Sequence, residues 1–134
     1  MMNIHASSED YLETILVLSQ RQGQVRSIDI VNEMNFSKPS ISVAMKKLRE
    51  NGYISMDYDG FITLEPPGRE IAERIYARHR MLLDFLVHIG VSPEVAAEDA
   101  CRMEHVISDE TYQKILGYAR RENWAPNHPA PSGE

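Results

Sequence analysis

The segment that decides the fold is S-I-D-I-V-N-E-M-N-F-S-K-P-S-I-S-V-A-M-K-K-L-R-E at 27–50, followed at 53–64 by Y-I-S-M-D-Y-D-G-F-I-T-L. Ser27 can cap a short helix, I-D-I-V-N-E-M. The segment N-F-S-K is a tight break. Pro39 sits in a first turn, where a helix tolerates proline, and the second helix runs to Glu50. Asn51-Gly52 stops it. Short helix, short turn and longer helix have the spacing of a helix-turn-helix. Asp59-Gly60 then separates two alternating apolar runs, which is a hairpin signal. The order of these four elements predicts a winged helix.

Outward from this segment, residues 8–22 read as an earlier helix. Leu12, Ile15, Leu16 and Ser19 share one face, with Tyr11 and Leu18 beside it. Ser7 or Ser8 can cap it, and Gly23 ends it. Pro66-Pro67-Gly68 opens a long helix to about His88. Its stripe is Ala72, Ile75, Tyr76, His79, Leu82, Leu83 and Leu86. After Gly90, Ser92-Pro93 starts a helix expected to reach Val106, and Ser108-Asp109-Glu110 starts another to Glu122. The fold class is therefore mainly α, an N-terminal winged helix-turn-helix followed by a helical lobe. The expected boundaries are 1–65, 66–124 and a disordered, proline-rich tail at 125–134.

The chain has 134 residues, 43% hydrophobic and 25% charged, with a formal net charge of −6. No apolar run approaches a membrane span, and the start lacks the form of a secretory signal. A cytoplasmic location without membrane partners is the expectation. The acidic average hides a split: residues 38–50 carry four bases and one acid, and residues 92–111 carry six acids and one base. A locally basic helix suits DNA even in an acidic protein. Ser37, Lys38, Pro39, Ser40 and Ser42 lie toward the end that would enter the major groove. Lys46, Lys47 and Arg49 suit phosphates. At the wing, Tyr58 can approach the backbone, and Asp59 reads as a turn residue. Apolar positions such as Ile71, Leu86, Val87, Ile107 and Leu116 exceed what a small lobe hides alone. This predicts a two-fold homodimer meeting two half-sites of double-stranded operator DNA.

The only cysteine lies in D-A-C-R-M-E-H-V-I-S-D-E at 99–110. Helical spacing puts Cys101, Glu104 and His105 on one face, and all three are metal-ligand types. Asp10 and Glu13 share a face of the first helix. His79 interrupts the apolar stripe of the long helix. Taken singly, each has an ordinary reading, whether a small buried thiol, a helix-start acid or a hydrogen-bonded histidine. Six such groups on three helices are harder to dismiss together, because carboxylates and imidazoles converging on an apolar seam are costly unless paired or bound to a cation. A Cys-His nucleophile would need an orienting group and an oxyanion pocket, and no loop here provides them. The chain is not expected to be an enzyme or to bind a small organic substrate. The competing expectation is a metal-independent winged helix sensing a small molecule.

With E-D-Y-L-E-T-I at 9–15, K-P-S-I-S-V-A-M-K-K-L at 38–48, R-H-R at 78–80 and A-C-R-M-E-H-V-I-S-D-E at 100–110, the chain resembles the diphtheria toxin repressor family of metal-dependent transcriptional regulators. The resemblance runs from about Ser7 to Glu122. It implies a metal-loaded dimeric repressor controlling metal homeostasis, with ligands at Asp10, Glu13, His79, Cys101, Glu104 and His105. Asp10 and Glu13 match the manganese-regulator branch, where the position of Cys101 is typically glutamate. Cysteine there matches the iron branch, where the position of Asp10 is methionine. The iron branch's ancillary site would fall on His79, Leu83 and Ala97, so as built there it is lost. The sequence also ends before the SH3-like third domain of the larger members, so the short, two-domain form closest to the manganese transport regulator branch is expected. Mn(II) or Fe(II) is the implied cofactor, with Zn(II) or Co(II) able to bind in vitro.

Overall fold

The computed structural model describes residues 6–122. They form two compact units that divide inside one long helix, between Arg74 and Ile75. The tail expected at 125–134 lies outside the described residues. No helix among the described residues is long and apolar enough to cross a membrane.

The first unit contains α1 (Ala6–Gln22), α2 (Ser27–Met34), α3 (Lys38–Glu50), β1 (Ile54–Met56), β2 (Ile62–Leu64) and the start of α4 (Pro66–His88). Helix α1 begins before Ser7 and Ser8, so neither serine is its cap. Leu12, Ile15, Leu16 and Leu18 of α1 are buried together with Val25, Ile30, Ile41, Met45 and Leu48. Helices α1, α2 and α3 pack on one another around this core. Gly23 leaves α1 at φ +88°, a left-handed conformation open to glycine, and its N–H returns to the Ser19 carbonyl.

One local expectation changes. The N-cap of α2 is Arg26 rather than Ser27. The carboxylate of Asp29 accepts the Arg26 N–H at 2.9 Å, so the third helical residue closes the start from inside. In the hairpin, Asp59-Gly60 lies in the turn as expected, with Gly60 at φ +88°, and Asp57 organises it. Its Oδ1 accepts the N–H groups of Asp59 and Phe61, both at 2.9 Å. A short carboxylate that bonds its own following backbone is the mechanism of an Asx turn. The strands pair Ile54 with Leu64, Ser55 with Thr63 and Met56 with Ile62. Ile54, Ile62 and Leu64 point inward while Ser55 and Thr63 face out, the period-two alternation of a half-buried sheet. The Ile62 N–H also donates to the Val25 carbonyl at 2.7 Å, fastening the wing to the segment before α2.

The second unit holds the rest of α4, α5 (Pro93–Met103) and α6 (Asp109–Arg121). Ser92 and Ser108 cap α5 and α6 as their sequence contexts predict, accepting from Val95 and Thr111. Ile75, Met81, Leu82, Ala96, Ala100 and Ala119 are buried, and Phe85 meets Tyr118 edge-on at 6.5 Å between ring centres. Helix α5 stops at Met103 instead of continuing to Val106. The N–H groups of both Val106 and Ile107 turn back to the Met103 carbonyl, which reverses the chain before the Ser108 cap.

Gly68 stands where the backbone leaves no room for a side chain. A Cβ there would overlap the carbonyl of Tyr53, whose oxygen already accepts the Glu65 N–H at 3.0 Å. Gly68→Ala is expected to cost about 1–3 kcal/mol in urea unfolding, the usual scale of overpacking. Gly117 in α6 meets only the end of Arg121, at 3.5 Å. Gly117→Ala is expected to stabilise by about 0.5–1 kcal/mol through helix propensity.

Candidate functional site

Glu104 is the centre of the second unit's polar chemistry. It is the C-cap of α5, with helical dihedrals, and is only 1% exposed. His79 reaches it from α4, with Nδ1 2.9 Å from Oε2. His105 Nε2 lies 3.4 Å from Oε1, and that pair does not form a hydrogen bond. Glu104 Oε1 is therefore a buried oxygen with no hydrogen-bond partner among the described residues. Buried polar atoms are rarely left in this state unless something else coordinates them.

The six expected ligands fall in both units. In the second, His79, Glu104 and His105 come together. Cys101 lies one turn before Glu104 on α5, and its side chain is exposed. The single helical face expected for Cys101, Glu104 and His105 is only partly realised. Glu104 keeps the helical spacing from Cys101 because it is an αR cap, while His105 lies beyond the helix in the turn. In the first unit, Asp10 and Glu13 are half-buried on α1, three residues apart. Their neighbour Glu9 is more deeply buried and pairs with Arg74 at 3.4 Å, so it has a structural partner of its own.

Sequence reading quoted Arg78 within R-H-R but gave it no role; it holds the turn that carries Glu104 and His105. This buried guanidinium donates from Nη1 to the Ile107 carbonyl at 3.1 Å and lies 3.5 Å from the Asp109 carboxylate. Its plane also lies over the Tyr112 ring, 5.2 Å from the centroid. Burial raises the Tyr112 phenol above its ordinary value, and the neighbouring Arg78 charge opposes that shift. The signal available in the sequence was a charged residue beside His79 on an apolar helix, which alone does not name a partner. Arg80 is buried as well, stacked over Tyr76 at 5.4 Å.

On the first unit, α3 buries Ile41, Met45 and Leu48 and exposes the whole expected DNA set: Ser37, Lys38, Pro39, Ser40, Ser42, Lys46 and Lys47. Ser37 has a second role. Its Oγ accepts the Ser40 N–H at 3.2 Å and donates to Ser40 Oγ at 2.9 Å, which makes it the helix cap. Val43, absent from the expected set, is 56% exposed on the same helix. Tyr58 projects fully from the wing tip.

Residues 3–60 match the N-terminal DNA binding domain of iron dependent repressors, and residues 65–121 match their metal binding and dimerisation domain. The transcriptional regulator MntR of Salmonella typhimurium is 34% identical over 113 residues, covering 84% of this chain and 72% of the relative. The chain belongs to the iron-dependent repressor family. This is the diphtheria toxin repressor family, and the match to MntR lies on its manganese-regulator side. Among solved structures, the manganese regulator SloR superposes with a TM-score of 0.74 at 28% identity, over 88% of this chain and 54% of that one. A manganese-dependent transcriptional repressor in complex with manganese gives 0.74 at 29% identity, over 83% and 51%. The chain thus spans about half the length of these solved family members.

In this family member, Arg78→Met should release the turn without removing a candidate ligand. Amide hydrogen exchange at 104–107 is expected to quicken in the metal-free protein. Mn(II) affinity, measured by calorimetry, should fall about 10- to 100-fold, the usual effect of losing a group that orients ligands.

Proposed function

We propose that this protein is a metal-dependent transcriptional repressor that binds operator DNA as a homodimer when loaded with Mn(II) or Fe(II). The observation that carries the proposal is the Glu104 carboxylate, buried between two imidazoles with one oxygen left without a hydrogen bond. Two imidazoles and a carboxylate fit a divalent transition metal by donor chemistry as well as by that vacant acceptor. Asp10 and Glu13 of the first unit and Cys101 of the second are proposed to complete the same site. When bound, a divalent cation supplies the positive charge that lets these anionic groups share one place.

The residues then couple metal to DNA. Asp10 and Glu13 sit on α1, which packs against the helix-turn-helix. Glu104 and His105 sit on the turn held by Arg78. Asp10, Glu13 and Glu104 repel one another if gathered without a counter-charge, so the metal-free protein samples more arrangements. Holding them together leaves fewer arrangements to lose when two α3 helices meet two half-sites. Exposed Val87, Ile89, Val95 and Val106 in the second unit supply apolar surface for the partner copy. Metal choice follows ligand hardness. Carboxylates and imidazoles dominate and suit Mn(II) or Fe(II), while the Cys101 thiolate adds affinity for softer Zn(II) or Co(II). Control of metal homeostasis and a cytoplasmic location follow from this reading, and no enzymatic role is proposed.

An anaerobic titration tests it. With Mn(II) or Fe(II), affinity for a selected duplex should rise about 5- to 150-fold, the range of ordinary allosteric coupling. Glu104→Gln, nearly the same shape, should abolish that rise while leaving metal-free DNA binding intact. DNA affinity that ignores metal would favour a sensor of another ligand. Metal binding without DNA binding would rule out the repressor.

A further inference from the structure

Arg80 is a buried cation that the second unit does not neutralise. It lies on α4 and is 8% exposed. Among the described residues its Nε has no hydrogen-bond partner, and no ion pair joins its guanidinium to a carboxylate. Its charge rests against the face of the Tyr76 ring, 5.4 Å from the centroid. An aromatic face attracts a cation, but less strongly than water does, so it offsets only part of the cost of burial. Arg78, two residues back, shows the usual solution. It donates to the Ile107 carbonyl and pairs with Asp109. Arg80 has no counterpart to Asp109.

The Arg80 side chain lines a cavity of about 140 Å³. The other walls are Ala77 and Met81 of α4 and Tyr112 and Leu116 of α6. One water takes about 30 Å³ of the liquid, so the cavity has room for about five groups of that size. The local field favours an anion. Arg78, Arg120 and Arg80 all act electrostatically on Tyr112, with Asp109 opposing them. Burial raises the Tyr112 phenol, so it keeps its proton and can donate.

The walls also say which kind of anion. Ala77, Met81 and Leu116 offer no strong hydrogen bond. A sulfate or phosphate dianion presents oxygens in every direction, and those facing these walls would be unsatisfied. A monocarboxylate presents two oxygens at one end, which a guanidinium and a phenol can serve, and an apolar body at the other.

We infer that this cavity is a binding site for a small organic monocarboxylate with a short apolar body, held through Arg80 and Tyr112. The site lies wholly in the second unit and shares no residue with the proposed metal site. Its ligand is bound and not converted, an addition to the sequence reading, which led to no small organic substrate.

The test is thermal unfolding of the full chain in chloride buffer free of carboxylates, with butanoate as the probe. Butanamide supplies the same body without the charge, and sulfate at equal ionic strength supplies charge without the body. Saturating butanoate should raise the melting midpoint by about 3–8 °C. Butanamide should not move it, and sulfate should act equally on the parent chain and on Arg80→Met. That variant keeps the side-chain length and removes the charge. It should melt higher than the parent in chloride, because no buried cation is left uncompensated, and should ignore butanoate. Ala77→Leu fills the cavity, leaves the charge in place and should also lose the response. No butanoate response in the parent, one that persists in either variant, or one that butanamide matches would overturn the site. A sulfate response equal to that of butanoate and lost in Arg80→Met would overturn the carboxylate in favour of an inorganic oxyanion. Arg80→Met splitting the dimer in sedimentation, with the parent indifferent to butanoate, would overturn the free ligand in favour of a side-chain carboxylate from the partner copy.

Discussion

The structure depends on a carboxylate buried where water cannot satisfy it. Glu104 is 1% exposed, and one of its oxygens has no hydrogen bond among the described residues. Isolated burial of such a group is strongly unfavourable, and a nearby imidazole offsets it only in part. His79 from the long helix and His105 from the following turn lie next to it. Arg78 fixes the turn through the Ile107 carbonyl. The proposed metal site rests on one constraint: a hard oxygen donor kept in a dry place is a group that a cation can satisfy. The proposed site would account for the polar residues His79 and Glu104 in an otherwise apolar seam.

The same helix-by-helix economy appears in the DNA-binding unit, with the opposite sign. Helix α3 gives one side to the core through Ile41, Met45 and Leu48. Its other side is left to solvent, basic toward its end at Lys46, Lys47 and Arg49. The excess positive charge is local, so a chain of net charge −6 can still meet a polyanion. Gly68 permits α4 to start directly against Tyr53, beside the wing strand. The hairpin is held at both ends, by the Ile62–Val25 hydrogen bond and by the Asp57 turn. A wing fixed in this way presents Tyr58 at a defined place rather than on a wandering loop.

Much of this was legible from local chemistry. Pro39, Ser92-Pro93 and Ser108 mark helix starts because a hydroxyl before a helix satisfies a free N–H, and proline suits a first turn. Gly23, Gly52 and Gly90 mark stops because each takes a positive φ. The misreadings also have local causes. Ser27 looked like a cap, yet Asp29 reached back to Arg26 and moved the start. Asp59 lies in the turn as expected, while the Asp57 carboxylate that accepts its N–H had not been singled out. The periodicity past Met103 continued to look helical, while the Ser108 cap required the chain to reverse.

By itself, the sequence determined the order of helices, the winged helix and the residue types able to hold a metal, because periodicity, capping and turn chemistry act over a few neighbouring residues. Only the tertiary structure decided which of those types is buried with which. It singled out Glu104 among six acids in its region as the one enclosed between two imidazoles, and left Cys101 exposed one turn away. It likewise turned Val43 outward and gave Arg78 its carbonyl partner 29 residues along the chain. Burial and long-range pairing arise from packing between elements distant in sequence, and no local pattern encodes where those elements will meet.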